Sequence, residues 1–293
     1  MVASRSVSGT VAALALASAL LSAAATILIR YGLQRYGPYT GFWINLVVGT
    51  TGLWAAVLLT GGPGRPSARS LAFFVLAGLV GTVGGRLLRY ISIETVGASI
   101  SAALINLSPL VSTAVAVALL GERVTSPILV GTIVIVAGTT LLSLGGRGIG
   151  VTPGQLLLPL GSALCFGVVA VLRKIGLSGA GAIVGTAANL TTALVAFSTF
   201  LLASGHRGAM GCRGRSLVYF IAAGLAENVG VFLGVVALSL GAVSVVTPLA
   251  SVAPIFVLLL SGLFLRRIEL LNARLVVGTV LIVLGAYLIT AFK

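Results

Sequence analysis

GERVTSPILVGTIVIVAG, residues 121–138, returns in altered form as RIELLNARLVVGTVLIVLG, residues 267–285. At an offset of 147 positions Glu122 meets Glu269, Gly131-Thr132 meets Gly278-Thr279, Ile135-Val136 meets Ile282-Val283, and Gly138 meets Gly285. The chain has only four acidic residues in 293, so one of them standing twice ahead of the same apolar run marks an internal duplication. Further echoes lie outward. RYGL at 30–33 answers KIGL at 174–177, Gly41 answers Gly185, and Asn45-Leu46 answers Asn189-Leu190, all at an offset of 144. AGL at 77–79 answers AGL at 223–225, and Val83-Gly84 answers Val229-Gly230, at 146. The drift from 144 to 147 reads as small insertions.

Composition says where such a chain belongs. It is 58% hydrophobic and 8% charged, with a mean hydropathy of +1.21. A water-facing surface needs about a quarter charged residues, so the chain reads as a polytopic membrane protein whose solvent is the lipid bilayer. The net charge of +14 does not point to nucleic acid, because the basic residues stand in ones and twos between apolar runs, as in loops that flank spans. Cys165 lies in an apolar run and Cys212 in a loop, so neither a structural disulfide nor a metal or other cofactor site is expected. His206 reads as a solvated loop residue.

Ten spans are expected, over 11–29, 40–59, 70–88, 97–120, 128–144, 154–172, 180–203, 216–240, 242–265 and 273–292. Charge and turn signals such as GGPGRPSAR and SGHRGAMGCRGR separate them. Long unbroken apolar runs argue for helices and against a barrel, whose strands alternate. The start of the chain has the look of a signal peptide, but its apolar run has a counterpart inside the duplication, so it is expected to be retained. Five spans per copy is an odd number. The second copy, 150–293, therefore enters the membrane from the side opposite to the first, 1–149, which gives an inverted-topology repeat.

Polar residues inside the spans are the candidate functional groups. Asn45 and Asn189 are equivalents, and each is expected to face the interior as a clamp or a solute contact. Asn106 and Ser108 precede Pro109, and Thr247 precedes Pro248; they line a cavity or satisfy a kink. Pro109, Pro159, Pro248 and Pro254 lie within spans, where each frees a carbonyl, and kinked fourth and ninth helices are usable as gates or are plain static kinks. Glu227, followed by Asn228, is the one acid at mid-span, and its equivalent is Gly81. It is expected either to pair with Arg86 or to exchange a proton or a cationic group. Glu122 and Glu269 read as helix-start residues at a positive helix end. The spaced glycines, Gly78, Gly81, Gly84 and Gly85 and then Gly131, Gly138, Gly278 and Gly285, read as packing seams.

The stretches NLSPLVSTAVAVALLGERVTSPILVGTIVIVAG and PLASVAPIFVLLLSGLFLRRIELLNARLVVGTVLIVLG combine an apolar helix carrying proline, a glutamate corner and a spaced glycine pair. In this the chain resembles the EamA family of the drug/metabolite transporter superfamily over nearly its whole length. The resemblance implies an all-α membrane protein of ten transmembrane helices, built as two inverted five-helix repeats around a central cavity. The first four helices of each half would form that cavity, with the fifth and tenth at the periphery and the termini in the cytoplasm. It also implies a secondary transporter, an exporter, of amino-acid-like, metabolite or drug-like small molecules across the cell membrane, acting as a monomer or weak dimer. A lipid- or ion-translocating protein without coupling is the alternative, though no continuous polar groove is evident. An intramembrane enzyme is disfavoured, because the chain has no Asp and its one His is in a loop.

Overall fold

A computed structural model describes residues 2–96, 101, 104–143, 152–253, 255, 256, 259, 260 and 273–291. The described helices are α1 Val2–Gly32, α2 Pro38–Leu59, α3 Ala68–Thr95, α4 Ser108–Leu120, α5 Ser126–Ser143, α6 Leu157–Gly176, α7 Ala182–Ala203, α8 Arg215–Leu240, α9 Val243–Ala250 and α10 Ala273–Ala291. Local chemistry sets several ends. Pro38 starts α2 where its missing N–H costs nothing. The Ser67 hydroxyl accepts the Ser70 amide at the head of α3. Gly121, at φ 64°, closes α4 in the left-handed region.

Six of these helices, α1, α2, α3, α6, α7 and α8, are long and apolar enough to cross a membrane. Leu59, Leu119, Val195 and Val218 are exposed on the outside, where acyl chains rather than water would meet them. The ten equal spans expected from the sequence are not all seen as such. The described part of α4 is a shorter apolar helix, and α9 has eight residues. The cause lies in α4 and α9, which are interrupted. Helix precedes a turn at Asn106-Leu107, ahead of Ser108-Pro109. The chain turns again at Ser251-Val252, 145 positions on. Pro109 therefore sits at the start of α4 and does not kink its interior. Pro159 similarly falls in the first turn of α6. Pro248 does lie inside α9. Pro254, Glu269 and Leu265 lie outside the described residues.

The two copies pack reciprocally. Phe74 of the first fills the space that a side chain on Gly176 or Gly185 would take, and Phe220 of the second does the same over Gly32 and Gly41. Gly78 lies against the Asn189 carbonyl, and its equivalent Gly224 lies against Asn45 and Val48. Residue i meeting j while j's equivalent meets i's equivalent is the signature of a twofold. Its sense follows from two pairs of equivalent helices. On α2 and α7, the Trp43 indole donates to Ser198 at 3.1 Å and the Trp54 indole to Thr191 at 2.8 Å. On α5 and α10, Gly131 backs onto Gly285 and Gly138 onto Gly278. In both pairs rising numbers meet falling ones, so equivalent helices run antiparallel and the copies are inverted.

Candidate functional site

Helix α3 changes its winding between Gly78 and Arg86, where it is a π-helix. Four of those nine residues are glycine. A side chain on Gly81 would meet Val169 of α6, and one on Gly85 would meet Phe166, so only a bare backbone lets α6 lie this close. π-turns are rare and collect at functional sites. This one delivers Arg86, and Arg89 beyond it, into the junction with α1, α2 and α8.

There the buried polar groups form one knot. The Asn45 amide donates to Glu227 Oε2 at 2.6 Å, and Arg89 Nη1 donates to Glu227 Oε1 at 2.9 Å. Arg89 Nη2 donates to the Thr26 hydroxyl at 2.6 Å. Arg86 Nη1 donates to Asn45 Oδ1 at 3.0 Å and to Asn228 Oδ1 at 3.2 Å. The Asn228 amide reaches the Asn45 side-chain oxygen and backbone carbonyl and the Gly224 carbonyl. Arg86 and Glu227 are 3% and 4% exposed, so the charges are held by one another and not by water. Arg86 Nη2 and the Tyr90 hydroxyl are buried in the same place without a hydrogen-bond partner.

The expected ion pair between Glu227 and Arg86 is present at 3.8 Å, and Arg89 is a second and closer partner at 2.9 Å. The signal was present as spacing, since residues three apart share a helix face, but π-winding ahead of Arg86 has no clear mark in sequence. Thr26 and Tyr90 were not singled out at all, being ordinary residues of apolar helices.

The equivalent junction of the other half keeps the amide and loses the charges. Asn189 accepts from Thr82 at 2.8 Å, just as Asn45 bonds Asn228, and Thr82 is the equivalent of Asn228 at offset 146. Where the knot has Glu227, Arg86 and Arg89, the second junction has Gly81, Phe232 and Val235. Asn45 and Asn189 both face inward, 1% and 0% exposed.

The interrupted helices meet as well. The hydroxyls of Ser112 on α4 and Thr247 on α9 lie 2.7 Å apart. Asn106, in the turn before α4, buries an amide with no partner. Glu122 was expected at the start of its own helix. It caps another: its two oxygens accept the backbone amides of Val243 and Ser244, at 2.8 and 3.0 Å, at the head of α9 in the other half. A carboxylate at a helix N-terminus is the right chemistry, on a helix that sequence order does not reveal. Lys174 of α6 completes that corner by donating to the carbonyls of Leu238 and Gly241 at the end of α8.

An open apolar groove of about 570 Å³ runs beside Trp54, Pro63, Pro66, Leu71 and Val184. It contains no member of the knot. Among the described residues no group of His, Cys, Asp and Glu would hold a metal ion, and Cys165 and Cys212 are free thiols. His206 is exposed and contacts Ser204.

Comparison with known proteins agrees with the duplicated architecture. The sequence matches the EamA-like transporter family twice, over residues 9–144 and 153–291. A solved crystal structure, 18% identical, superposes on 96% of this chain and 96% of its own with a TM-score of 0.79; at that identity the likeness shows the fold alone. Among the curated proteins none matches the chain.

Proposed function

The chain belongs to the EamA-like transporter family of multi-pass membrane proteins, and from that premise we propose that it is a secondary active transporter, an exporter of small metabolites or amino-acid-like or drug-like solutes. In this reading residues 1–149 and 150–293 are the two repeats. Each contributes five spans, ten in all, and the solute crosses between them by alternating access. The observation that carries the reading is the off-symmetry charge. Glu227 of the second repeat is bound to Asn45 and Arg89 of the first, and the equivalent positions of Glu227 and Arg89 are Gly81 and Val235.

An inverted repeat opens to either side by exchanging the packing of its two junctions. The Glu227 junction is tied by ions, so its opening depends on whether the carboxylate is charged. Protonation of Glu227 removes the attraction to Arg89 and Arg86, leaves Asn45 and Tyr90 as neutral neighbours, and frees α8 to part from α1, α2 and α3. Glu227 is thus the coupling group. Asn228, Asn45, Arg86 and Asn189 hold the junctions, and the interruptions of α4 and α9, at Asn106-Leu107 and Ser251-Val252, act as gates, with Pro109 at the start of α4 and Pro248 inside α9. Half-helices broken at corresponding places in two repeats are where solutes bind in such folds.

The test is transport in proteoliposomes with a panel of amino acids, organic acids and cationic drug-like compounds. Glu227→Gln is expected to keep solute counterflow and lose accumulation driven by a pH gradient. Unchanged pH-driven accumulation would remove Glu227 from coupling. Dissipation of solute gradients with no accumulation by wild type would favour an uncoupled conduit.

A further inference from the structure

Resting on the transport reading, we infer that the solute carries an anionic group, a carboxylate or a phosphate, and that it is received by the surplus guanidinium charge at the Glu227 junction. The count of charges is the first ground. Among the described residues Arg86 is buried and Arg89 and Arg173 are partly buried, against one buried carboxylate, Glu227. Lys174 is bound to carbonyls at the end of α8, within electrostatic reach of Glu122, so that corner is balanced. Arg173 of α6 lies within electrostatic reach of Arg86, and among the described residues no acid is paired with it. Two uncompensated positive charges inside a membrane protein are costly, and such charges mark solute or ion paths.

The second ground is unused bonding capacity. Arg86 is 3% exposed, and its Nη2 has no partner although Nη1 and Nε are engaged. The Tyr90 hydroxyl, from a fully buried residue four positions on, is also unpartnered. Arg173 Nε is a third buried N–H without a partner. Each of the three can donate, and none is matched by an acceptor. Buried donors are rarely left so, and an oxyanion supplies several acceptor positions at once. A cationic solute would find Glu227 already taken by Arg89 and Asn45.

A consequence follows for coupling. The Glu227 carboxylate and a solute anion compete for the same guanidinium groups. Neutralising Glu227 with a proton frees those groups, so proton and anion bind better together than apart. By reciprocity each raises the other's affinity equally. The charged groups facing Glu227 are Arg86 and Arg89, with Tyr90 beside them. An exporter built this way runs down the solute's own gradient and takes a proton out with each anion.

The test uses purified full-length protein and three probes of one shape: benzoate, benzylammonium and benzyl alcohol, with acetate and inorganic phosphate beside them, all at constant ionic strength. Thermal unfolding is read against probe concentration. Saturable stabilisation by at least one anion, absent for benzylammonium and benzyl alcohol, is expected. Glu227→Gln should bind that anion on the order of tenfold tighter at neutral pH, because it removes the competing charge. Arg173→Gln, which leaves the knot's hydrogen bonds in place, should weaken the anion response without abolishing folding. Absence of a saturable response to every anion, a saturable response to benzylammonium, or weaker anion binding in Glu227→Gln would each overturn the inference. If solute moves in proteoliposomes while no anion binds, this inference fails and the transport reading stands. If an anion binds and nothing is moved, the reverse holds.

Discussion

Arg89 and Glu227 meet at 2.9 Å across the boundary between the two copies of the repeat. Arg89 comes from α3 of the first copy and Glu227 from α8 of the second, and the equivalent positions are Val235 and Gly81. One junction of a twofold construction is therefore ionic, and the other has neutral groups at these positions and keeps the Asn189–Thr82 hydrogen bond. Glu227 is buried and Arg89 partly so, and removing either one takes the closest charge partner from the other. Glu227→Gln and Arg89→Gln should each destabilise the folded protein in detergent by about 3–5 kcal/mol. The double variant should lose clearly less than the sum, since the Arg89–Glu227 interaction is removed only once. Additive losses would mean that the pair is not the element holding α3 to α8.

A second symmetric contact is purely steric. A Cβ on Gly138 would lie 2.7 Å from the Gly278 carbonyl oxygen, and one on Gly131 would lie 2.7 Å from that of Gly285. Backbone cannot yield as a flexible side chain does. Gly138→Leu should force α5 and α10 apart at a cost of about 1–3 kcal/mol, read as a lower unfolding temperature. Because α5 and α10 do not contribute to the knot, an anion response measured in the same preparation should survive. A stable Gly138→Leu protein would show that the seam is looser than its geometry.

Most of this architecture could be read from the chain, because duplication and hydropathy act locally. The glutamate corner, the asparagine pair and the spaced glycines point to the repeat, and the odd number of spans per copy to its inverted sense. What escaped reading depends on phase and on tertiary proximity. Nine residues of π-helix decide which arginine faces Glu227, and no residue type announces them. Helix breaks at Asn106 and Ser251 fall just before prolines, as chain stereochemistry favours, yet continuous hydropathy hid them. The target of Glu122 is a helix 121 positions away, beyond any local rule.

That target changes what Glu122 is expected to do. A carboxylate meeting only the dipole of its own helix would be worth about 0.3–1 kcal/mol. Two hydrogen bonds from the amides of Val243 and Ser244 to a charged acceptor are worth more, about 1.5–3 kcal/mol each. Glu122→Ala should therefore destabilise by about 3–6 kcal/mol, the sum over the two bonds, and Glu122→Gln by less, since its amide oxygen still accepts one of them. As α9 is one of the interrupted helices, solute counterflow by Glu122→Ala should also slow. A thermal unfolding temperature within about a degree of wild type would return Glu122 to the minor role.

The meeting of α4 and α9 gives the most direct test of gating. Ser112 and Thr247 share a hydrogen bond at 2.7 Å, and each lies beyond a proline or beside one in its helix. If these helices separate during the cycle, that contact must break once per turnover. Replacing Ser112 and Thr247 together by cysteine, in a background where Cys165 and Cys212 are serine, places two thiols where the hydroxyls touch. Oxidation should join them, since disulfide geometry requires side chains already this near. The joined protein is expected to bind its solute and fail to exchange it across the membrane, and reduction should restore counterflow to the level of the unoxidised double variant. Full counterflow with the cross-link complete by mass spectrometry would mean that α4 and α9 move as one body, and the gates would have to be sought at the Glu227 junction alone.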